Sequence, residues 1–204
     1  MPFEQDSERT QLEVLLATKS VRTGHFKLAS GAESSVYVDG KLTTCSPEAM
    51  PLIGRAFLRK MTERGWHPDA VGGLTVGADP IAFAIAREST DFGRPINAFI
   101  VRKEPKAHGM GRFIEGIDAP SGLQVVIIDD VCTKGGSTGQ AIEKARDAGM
   151  KVLGAVCLVD REMGARELLE RKYNCPFDSI FTLTDLLRYK SGSQLAPEPV
   201  GANV

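Results

Sequence analysis

The sequence predicts an α/β fold in which helices cover both faces of a central parallel sheet. Several runs of strand length are apolar with little polar alternation, which is typical of strands buried on both faces. They are AVGGLT (70–75), INAFIV (96–101), LQVVIID (123–129) and KVLGAVCLVD (151–160). Helical patterns lie between several of them, over residues 80–88, 137–149 and 165–173. Strands that alternate with helices in this way indicate a parallel sheet.

The chain before residue 70 does not follow this alternation, so we predict a small N-terminal hood region over residues 1–69. The stretch from Ser7 to Ser20 has apolar residues at helical spacing, and Ser7 is placed to cap that helix. Short strands are predicted on either side of a turn at Ser30 and Gly31. A second helix is predicted from Pro47 to about Arg64.

The α/β core is predicted over residues 70–190. Its last unit, residues 177–189, has the pattern of one more strand that leads into a short helix. The tail over residues 191–204 is rich in Ser, Pro and Gly, and we predict that it is disordered.

Composition excludes several classes of function. The chain has 204 residues, a hydrophobic fraction of 42% and a formal net charge of −1. It can therefore bury a core, and it carries no global attraction for nucleic acid or membranes. We find neither a leader pattern at the start nor an apolar run of membrane-spanning length, so we expect a cytoplasmic protein. The widely spaced cysteines, Cys45, Cys132, Cys157 and Cys175, form no CxxC pair and are predicted to be free thiols.

The end of the apolar strand Val125–Ile128 carries the strongest functional signal. Asp129 and Asp130 follow it directly, and ligands of open α/β sheets bind beyond the carboxyl ends of the strands. Adjacent carboxylates can accept hydrogen bonds from the vicinal hydroxyls of a ribose, or hold a cation. The segment Thr133–Thr138, called here the glycine loop, then combines glycines with hydroxyl side chains ahead of a helix. Its amides and the helix N-terminus suit a phosphate, so we predict a site for a phosphorylated ribose.

Two other interpretations of this segment are weaker. A strand that ends in two aspartates could hold magnesium in a P-loop ATPase, but the sequence has no GxxxxGK[ST] motif. An ordinary strand, turn and helix would not be expected to combine paired acids, glycines and hydroxyls in this order.

A second candidate site lies in the basic segment, residues 102–116. Arg102, Lys103, Lys106 and His108 place four potential cations close together, and glycines follow. A solvated charged hairpin is the ordinary interpretation of such a run. Here the run follows a strand of the same sheet, where its cations could neutralise an anionic group at the same edge. Lys106 or His108 could also donate a proton to an oxygen of such a group.

These motifs resemble a known family. The run from Val125 to Ala141 resembles the phosphoribosyl-pyrophosphate (PRPP) signature of the type I phosphoribosyltransferases. RKEPKAHG, followed by IEG, is similar to orotate phosphoribosyltransferases in particular. The blocks FKLASGAESSVYVD, GGLTVGADPIA and VDREMGA resemble the same enzymes. Together the blocks cover most of the chain from Phe26 to Ala165.

The resemblance implies a reaction, a set of site residues and an assembly. Orotate and PRPP, with Mg²⁺, would give orotidine 5′-monophosphate and pyrophosphate in pyrimidine (UMP) synthesis. Implied catalytic residues are Lys106, His108 and Asp130. PRPP would be bound by Arg102, Lys103, Lys106, His108, Asp129, Asp130, Thr133, Lys134, Gly135, Gly136, Ser137 and Thr138. Orotate would be bound by Tyr37, Val38, Thr133 and Arg161. Mg²⁺ would be held mainly by PRPP, without a direct protein ligand. The family also implies a homodimer in which residues 102–116 are shared across the interface.

Some points stay open. A surface ion pair with Asp160 or Glu162 is the alternative role for Arg161. Some family members have a lysine where this chain has Ala29, and Lys41 is a candidate to supply that charge.

The alternative functions are a phosphoribosyltransferase for another base and a PRPP-sensing regulator. The regulator is disfavoured because the short helix before the hairpin shows no basic recognition face for nucleic acid.

Overall fold

The N-terminal region holds helices and a separate hairpin. The computed structural model describes residues 2–27, 33–105 and 113–192. Its first elements are α1 (Pro2–Leu15), β1 (Val21–Lys27), β2 (Glu33–Val38), α2 (Lys41–Thr44) and α3 (Ala49–Glu63). β1 and β2 pair antiparallel in a two-stranded sheet of their own. The predicted hairpin strands are therefore present, while the turn at Ser30 and Gly31 lies outside the described residues.

The prediction that the first helix opens at Ser7 is wrong. Helix α1 begins at Pro2, so Ser7 lies within it. Proline suits the first position of a helix, where its missing N–H would have no partner in any case. The end of the predicted helix also differs, because Leu16–Ser20 forms a π-helical turn. Leu12 and Leu16 are fully buried and hold this segment against the core.

Within the described part of the chain, the central sheet has six strands and is mostly parallel, as predicted. In spatial order they are β5 (Ile114–Glu115), β4 (Asn97–Val101), β3 (Ala70–Leu74), β6 (Gln124–Cys132), β7 (Lys151–Asp160) and β8 (Phe177–Thr182). Every neighbouring pair is parallel except β4 with β5, which is antiparallel. The two-residue edge strand β5 was not predicted, because so short a segment carries no alternation to detect.

Helices cover both faces of the sheet, which confirms the predicted fold class. The remaining helices are α4 (Asp79–Ser89), α5 (Gly136–Asp147), α6 (Ala165–Arg171) and α7 (Leu183–Gly192). One core joins α1, α3 and α4 to the sheet, and a second core joins α5 and α6 to its other face. Helix α7 includes the first two residues of the predicted tail, and residues 193–204 lie outside the described part of the chain.

The predicted boundary at residue 69 does not separate two hydrophobic cores. Leu12 and Phe57, from the N-terminal helices, lie in the same buried cluster as Val126 and Phe181 of the sheet. Among the residues that the structure describes, the β1–β2 hairpin alone forms a separate sheet, so we keep the hood as a proposal centred on that hairpin. In the described ranges, no helix combines the length and apolar character needed to cross a membrane.

Candidate active site

The parallel strands bring the predicted site residues to one edge of the sheet. In the register of β6 and β7, Asp129 lies beside Cys157 and Cys132 lies beside Asp160. Thr133 and Arg161, which follow these two strands, therefore emerge next to each other. The backbone N–H of Arg161 donates to the carbonyl of Cys132 at 2.8 Å and holds the two ends together.

The glycine loop forms a single concave site. A cavity of about 170 Å³ is lined by Asp129, Val131 and Cys132 together with every residue from Thr133 to Thr138. Gly135 precedes α5 with a φ of 77°, a left-handed conformation that favours glycine. No acidic residue lies in the first turn of α5, so the partial positive charge of the helix N-terminus is not neutralised there. The geometry is that of an anion site.

Asp129 lies under this loop and organises it. Its side chain is buried, and Oδ2 accepts a hydrogen bond of 2.6 Å from the Thr138 hydroxyl. Oδ1 accepts a second bond, at 3.0 Å, from the backbone N–H of Asp130. Burial raises the pKa of Asp129 to about 7; the Asp130 charge adds to the rise and the Thr138 hydrogen bond opposes it.

Asp130 faces the hood region. Its Oδ1 accepts a hydrogen bond of 2.9 Å from the N–H of Val131, and its Oδ2 lies 3.7 Å from the ammonium of Lys41. That ammonium also lies 3.1 Å from Asp39. Burial acts to lower the pKa of Lys41, but the hydrogen bond to Asp39 and the charge of Asp130 raise it overall. Lys41 therefore places a positive charge at the acidic strand end, which the site prediction did not include.

Gly77 is a further residue that the site prediction missed. It follows β3, and a Cβ built on it would lie 2.4 Å from Oδ1 of Asp130. A Cβ on Gly40 would lie 3.0 Å from Oδ2 of the same carboxylate. The carboxylate of Asp130 is thus enclosed between two glycines. The block GGLTVGADPIA contains Gly77, but the sequence alone does not show that this glycine packs against Asp130.

Arg161 reaches the hairpin and forms a hydrogen bond with its second strand. Its Nη2 donates to the carbonyl of Val36 at 3.4 Å, and its buried Nε has no hydrogen-bond partner among the described residues. The alternative ion pair is absent there: Asp160 accepts from the N–H of Glu162, and Glu162 accepts from Thr184. A guanidinium with free donors is suited to a planar carboxylate.

The hairpin places Tyr37 and Val38 near this arginine. Arg161 contacts β2 at Val36, one residue before Tyr37. Tyr37 is 42% exposed, and its ring centroid lies 5.6 Å from that of Phe26. An exposed aromatic side chain on the strand that Arg161 contacts is suited to stack on a flat base.

The basic segment is only partly described. Arg102 lies 3.5 Å from Glu115 through Nη1, and its Nε donates to the carbonyl of Glu104 at 3.2 Å. Lys103 is exposed. Neither side chain contacts the glycine loop within the described ranges. Lys106 and His108 lie outside those ranges, so their predicted roles stay predictions.

The described residues offer a cation few ligands of their own. Over residues 2–27, 33–105 and 113–192, no three His, Cys, Asp or Glu side chains group as metal ligands. The carboxylate oxygens of Asp129 already accept hydrogen bonds. Asp130 has one oxygen facing Lys41.

The parallel sheet, the glycine-loop cavity and the acidic strand end define the class of protein. They are the parts of a domain that transfers phosphoribosyl groups. A family model described as "Phosphoribosyl transferase domain" matches residues 46–186.

Known proteins narrow the class. An orotate phosphoribosyltransferase of Aquifex aeolicus is 45% identical over 183 residues, which cover 88% of this chain and 98% of the relative. The Mycobacterium tuberculosis H37Rv orotate phosphoribosyltransferase in complex with Fe(III) dicitrate is 40% identical, with a TM-score of 0.78 over 88% of this chain and 98% of that chain. Its complex with PRPP matches at 36% identity, with a TM-score of 0.74 and the same coverage. The chain belongs to the orotate phosphoribosyltransferase family.

Proposed function

We propose that this chain transfers the phosphoribosyl group of PRPP to orotate, giving orotidine 5′-monophosphate and pyrophosphate in pyrimidine biosynthesis. The glycine-loop cavity carries the proposal. A buried acidic strand end, a left-handed glycine and a helix N-terminus meet there around one anion-sized space. A curated relative of the same family shares 45% of its residues over 88% of this chain.

PRPP binds with its 5′-phosphate in the glycine loop. Backbone amides and the hydroxyls of Thr133, Ser137 and Thr138, with Lys134, surround the phosphate. Asp130 and Asp129 accept the ribose hydroxyls, and the tight packing of Gly40 and Gly77 fixes the carboxylate of Asp130.

Orotate binds between the hairpin and the strand ends. Arg161 has donors available for the carboxylate of the base, because its Nε has no partner among the described residues. Thr133 emerges beside Arg161, and β2 closes the pocket with Tyr37 and Val38. The preference for orotate over a neutral base rests on this arginine.

Catalysis depends on positioning and charge. Loss of pyrophosphate leaves an oxocarbenium-like ribose, and the orotate ring nitrogen attacks it. Asp130 lies where a negative charge stabilises the ribose as positive charge develops. Arg102, Lys103, Lys106 and His108 neutralise the departing pyrophosphate, and Lys106 or His108 protonates it. Mg²⁺, held mainly by PRPP oxygens, neutralises further phosphate charge when bound.

The protein acts as a homodimer in which the basic segment, residues 102–116, is shared across the interface: Arg102 and Lys103 serve the site of their own chain, and Lys106 reaches the partner's site. The motif resemblance supports this assembly, and so do exposed apolar side chains on the stretch that follows β3. Val76 and Phe83 are 62% and 49% exposed, and both lie on the stretch that follows β3. A second copy would cover such a surface. The cytoplasmic location stays a prediction from the sequence.

The decisive assay is the loss of orotate absorbance when purified protein, PRPP and Mg²⁺ are combined. Turnover should require both PRPP and orotate. Asp130→Asn should lower kcat/KM for PRPP. The loss should correspond to about 1.5–3 kcal/mol of transition-state stabilisation, the value of a hydrogen bond to a charged group. Asp91→Asn is the matched control, since Asp91 lies on the surface and pairs with Arg87.

Two outcomes would contradict the proposal. Turnover of uracil or hypoxanthine in place of orotate would transfer the function to a phosphoribosyltransferase for another base. PRPP binding without turnover of any base would favour a PRPP-sensing regulator.

A further inference from the structure

Lys144 on α5 contacts both ends of the basic segment. Its ammonium donates to two consecutive backbone carbonyls, those of Arg102 at 2.9 Å and Lys103 at 2.8 Å. The same ammonium lies 4.3 Å from the centroid of the Phe113 ring. An ammonium has several donors and no acceptor, so one side chain can hold both carbonyls while its charge faces the aromatic ring.

The backbone at these contacts is closed by a hydrogen bond between Arg102 and Phe113, and this pair is called here the neck. The N–H of Arg102 donates to the carbonyl of Phe113 at 2.8 Å, and β4 pairs with β5 immediately beyond. The neck lies at the carboxyl end of β4, the strand edge that also carries the glycine loop. Without Lys144, the carbonyls of Arg102 and Lys103 would lose a charged donor, while the backbone hydrogen bond from Arg102 to Phe113 would remain.

Lys144 also belongs to the helix that forms the anion site. Helix α5 starts at Gly136, in the glycine loop, and continues to Asp147. A helix of this length is rigid, with a rise of about 1.5 Å per residue. The glycine loop and the neck are therefore fixed to the same element, roughly two turns apart. Since Arg102 and Lys103 do not contact the glycine loop directly within the described ranges, Lys144 provides the observed connection.

We propose that Lys144 is a positioning residue for PRPP. It fixes the backbone of Arg102 and Lys103 relative to the glycine loop, so that their side chains meet the diphosphate of a PRPP whose 5′-phosphate occupies the loop. This inference rests on the proposed function. Lys144 itself contacts backbone carbonyls and a ring, so it acts through these two residues.

The test replaces Lys144 by methionine, which keeps the aliphatic length and removes the charge and donors. Lys144→Met should lower kcat/KM for PRPP by about tenfold, the effect of losing one charge-assisted hydrogen bond. The KM for orotate should not change. Lys144→Arg should restore most of the lost efficiency, because its fork can also donate to two carbonyls. Lys151→Met, on an exposed lysine at the start of β7, is the matched control.

A double-mutant cycle separates positioning from simple stabilisation. In an Arg102→Met, Lys103→Met background, adding Lys144→Met should have little further effect on PRPP kinetics. A full tenfold loss in that background would overturn the inference, and so would a lower melting temperature with unchanged PRPP kinetics per folded site. If Lys144→Met does not fold, Lys144→Gln takes its place in the same cycle.

The wild-type protein provides the separate check on the proposed function. Calorimetry with PRPP and Mg²⁺ measures binding without any acceptor base. If the wild type does not bind PRPP, the proposed function fails and this inference fails with it. If the wild type binds and turns over orotate while Lys144→Met matches it, only the positioning role is wrong.

Discussion

The hydroxyl of Thr138 donates a hydrogen bond of 2.6 Å to Oδ2 of Asp129, beneath the glycine loop. Asp129 lies in the buried part of β6, and Thr138 lies in the first turn of α5. The bond therefore joins the strand that presents the carboxylates to the helix whose N-terminus forms the anion site. It also opposes the rise in the pKa of Asp129 that burial causes.

Thr138→Val should move the acid limb of the pH profile to higher pH. Valine keeps the shape of threonine but removes the hydrogen bond that lowers the pKa of Asp129, so ionisation of this carboxylate becomes harder. The variant should also lose about 1 kcal/mol of transition-state stabilisation. The measurement is kcat/KM for PRPP across neutral pH, with Thr90→Val on the surface as control. An acid limb that does not move would mean that ionised Asp129 is not needed for PRPP use.

Asp129 should make the free protein less stable as pH rises towards neutral. Its pKa rises from 3.8 to about 7 on folding, because burial penalises the charged form. The folded state then holds a proton that the unfolded state releases. The stability that this proton contributes is fully present below the pKa of Asp129 in the unfolded chain. It is lost as pH rises through the pKa of Asp129 in the folded protein.

Asp129→Asn should remove that dependence. Denaturant unfolding at a series of pH values from about 4 to 8, the window set by the two pKa values, measures it. The free energy of unfolding of the wild type should fall with pH relative to that of the variant. Asp91→Asn is the control. Arg87 lowers the pKa of Asp91, so the effect of Asp91 on the pH dependence of stability lies below this window. A constant difference between wild type and Asp129→Asn would contradict the raised pKa.

Much of this site could be predicted because its residues are local in sequence. Asp129 to Thr138 run continuously from a strand end into a helix, and each residue type has a local physical reason to be there. The strands were equally clear, since burial on both faces removes polar alternation. Contacts such as that of Lys41 with Asp130 or of Lys144 with the neck join distant segments, and no local pattern encodes them. The start of α1 was missed because Ser7 is a good cap residue that the chain uses inside the helix.

Gly77→Ala should impair PRPP use more than Gly40→Ala. A Cβ on Gly77 would meet Oδ1 of Asp130 at 2.4 Å, whereas on Gly40 the nearest contact is 3.0 Å. The first must displace the carboxylate, and the second requires a shift of a few tenths of an ångström. We expect a loss in kcat/KM for PRPP of about tenfold for Gly77→Ala, equivalent to one strong hydrogen bond, and a smaller loss for Gly40→Ala. Wild-type kinetics in both variants would show that the position of Asp130 does not limit the reaction.

Arg161→Lys should raise the KM for orotate more than the KM for PRPP. Lysine keeps the positive charge but cannot form two parallel hydrogen bonds to a carboxylate. Steady-state kinetics with each substrate varied in turn measures the two effects separately. Arg166→Lys is the control, because Arg166 pairs with Glu170 on the exposed face of α6. If the two KM values rise together, Arg161 does not select the carboxylate of the base.

The last prediction tests the dimer and the basic segment together. We expect Lys106 to act in the partner's active site, while Arg161 serves the site of its own chain. Lys106→Ala should lower kcat strongly with little change in orotate binding, because its charge matters most as pyrophosphate leaves. Arg161→Ala should lose orotate binding. Each variant alone is then inactive at both sites of its homodimer.

Unfolding the two variants together and refolding them in equal amounts should restore activity. Each mixed dimer then holds one site with both lesions and one site with neither, so roughly a quarter of all sites are intact after random exchange. Separate refolding of each variant gives the baseline, and native mass measurement counts the mixed dimers. Activity near that fraction supports a site shared between subunits. If mixed dimers form and remain as inactive as their parents, Lys106 does not serve the partner's site.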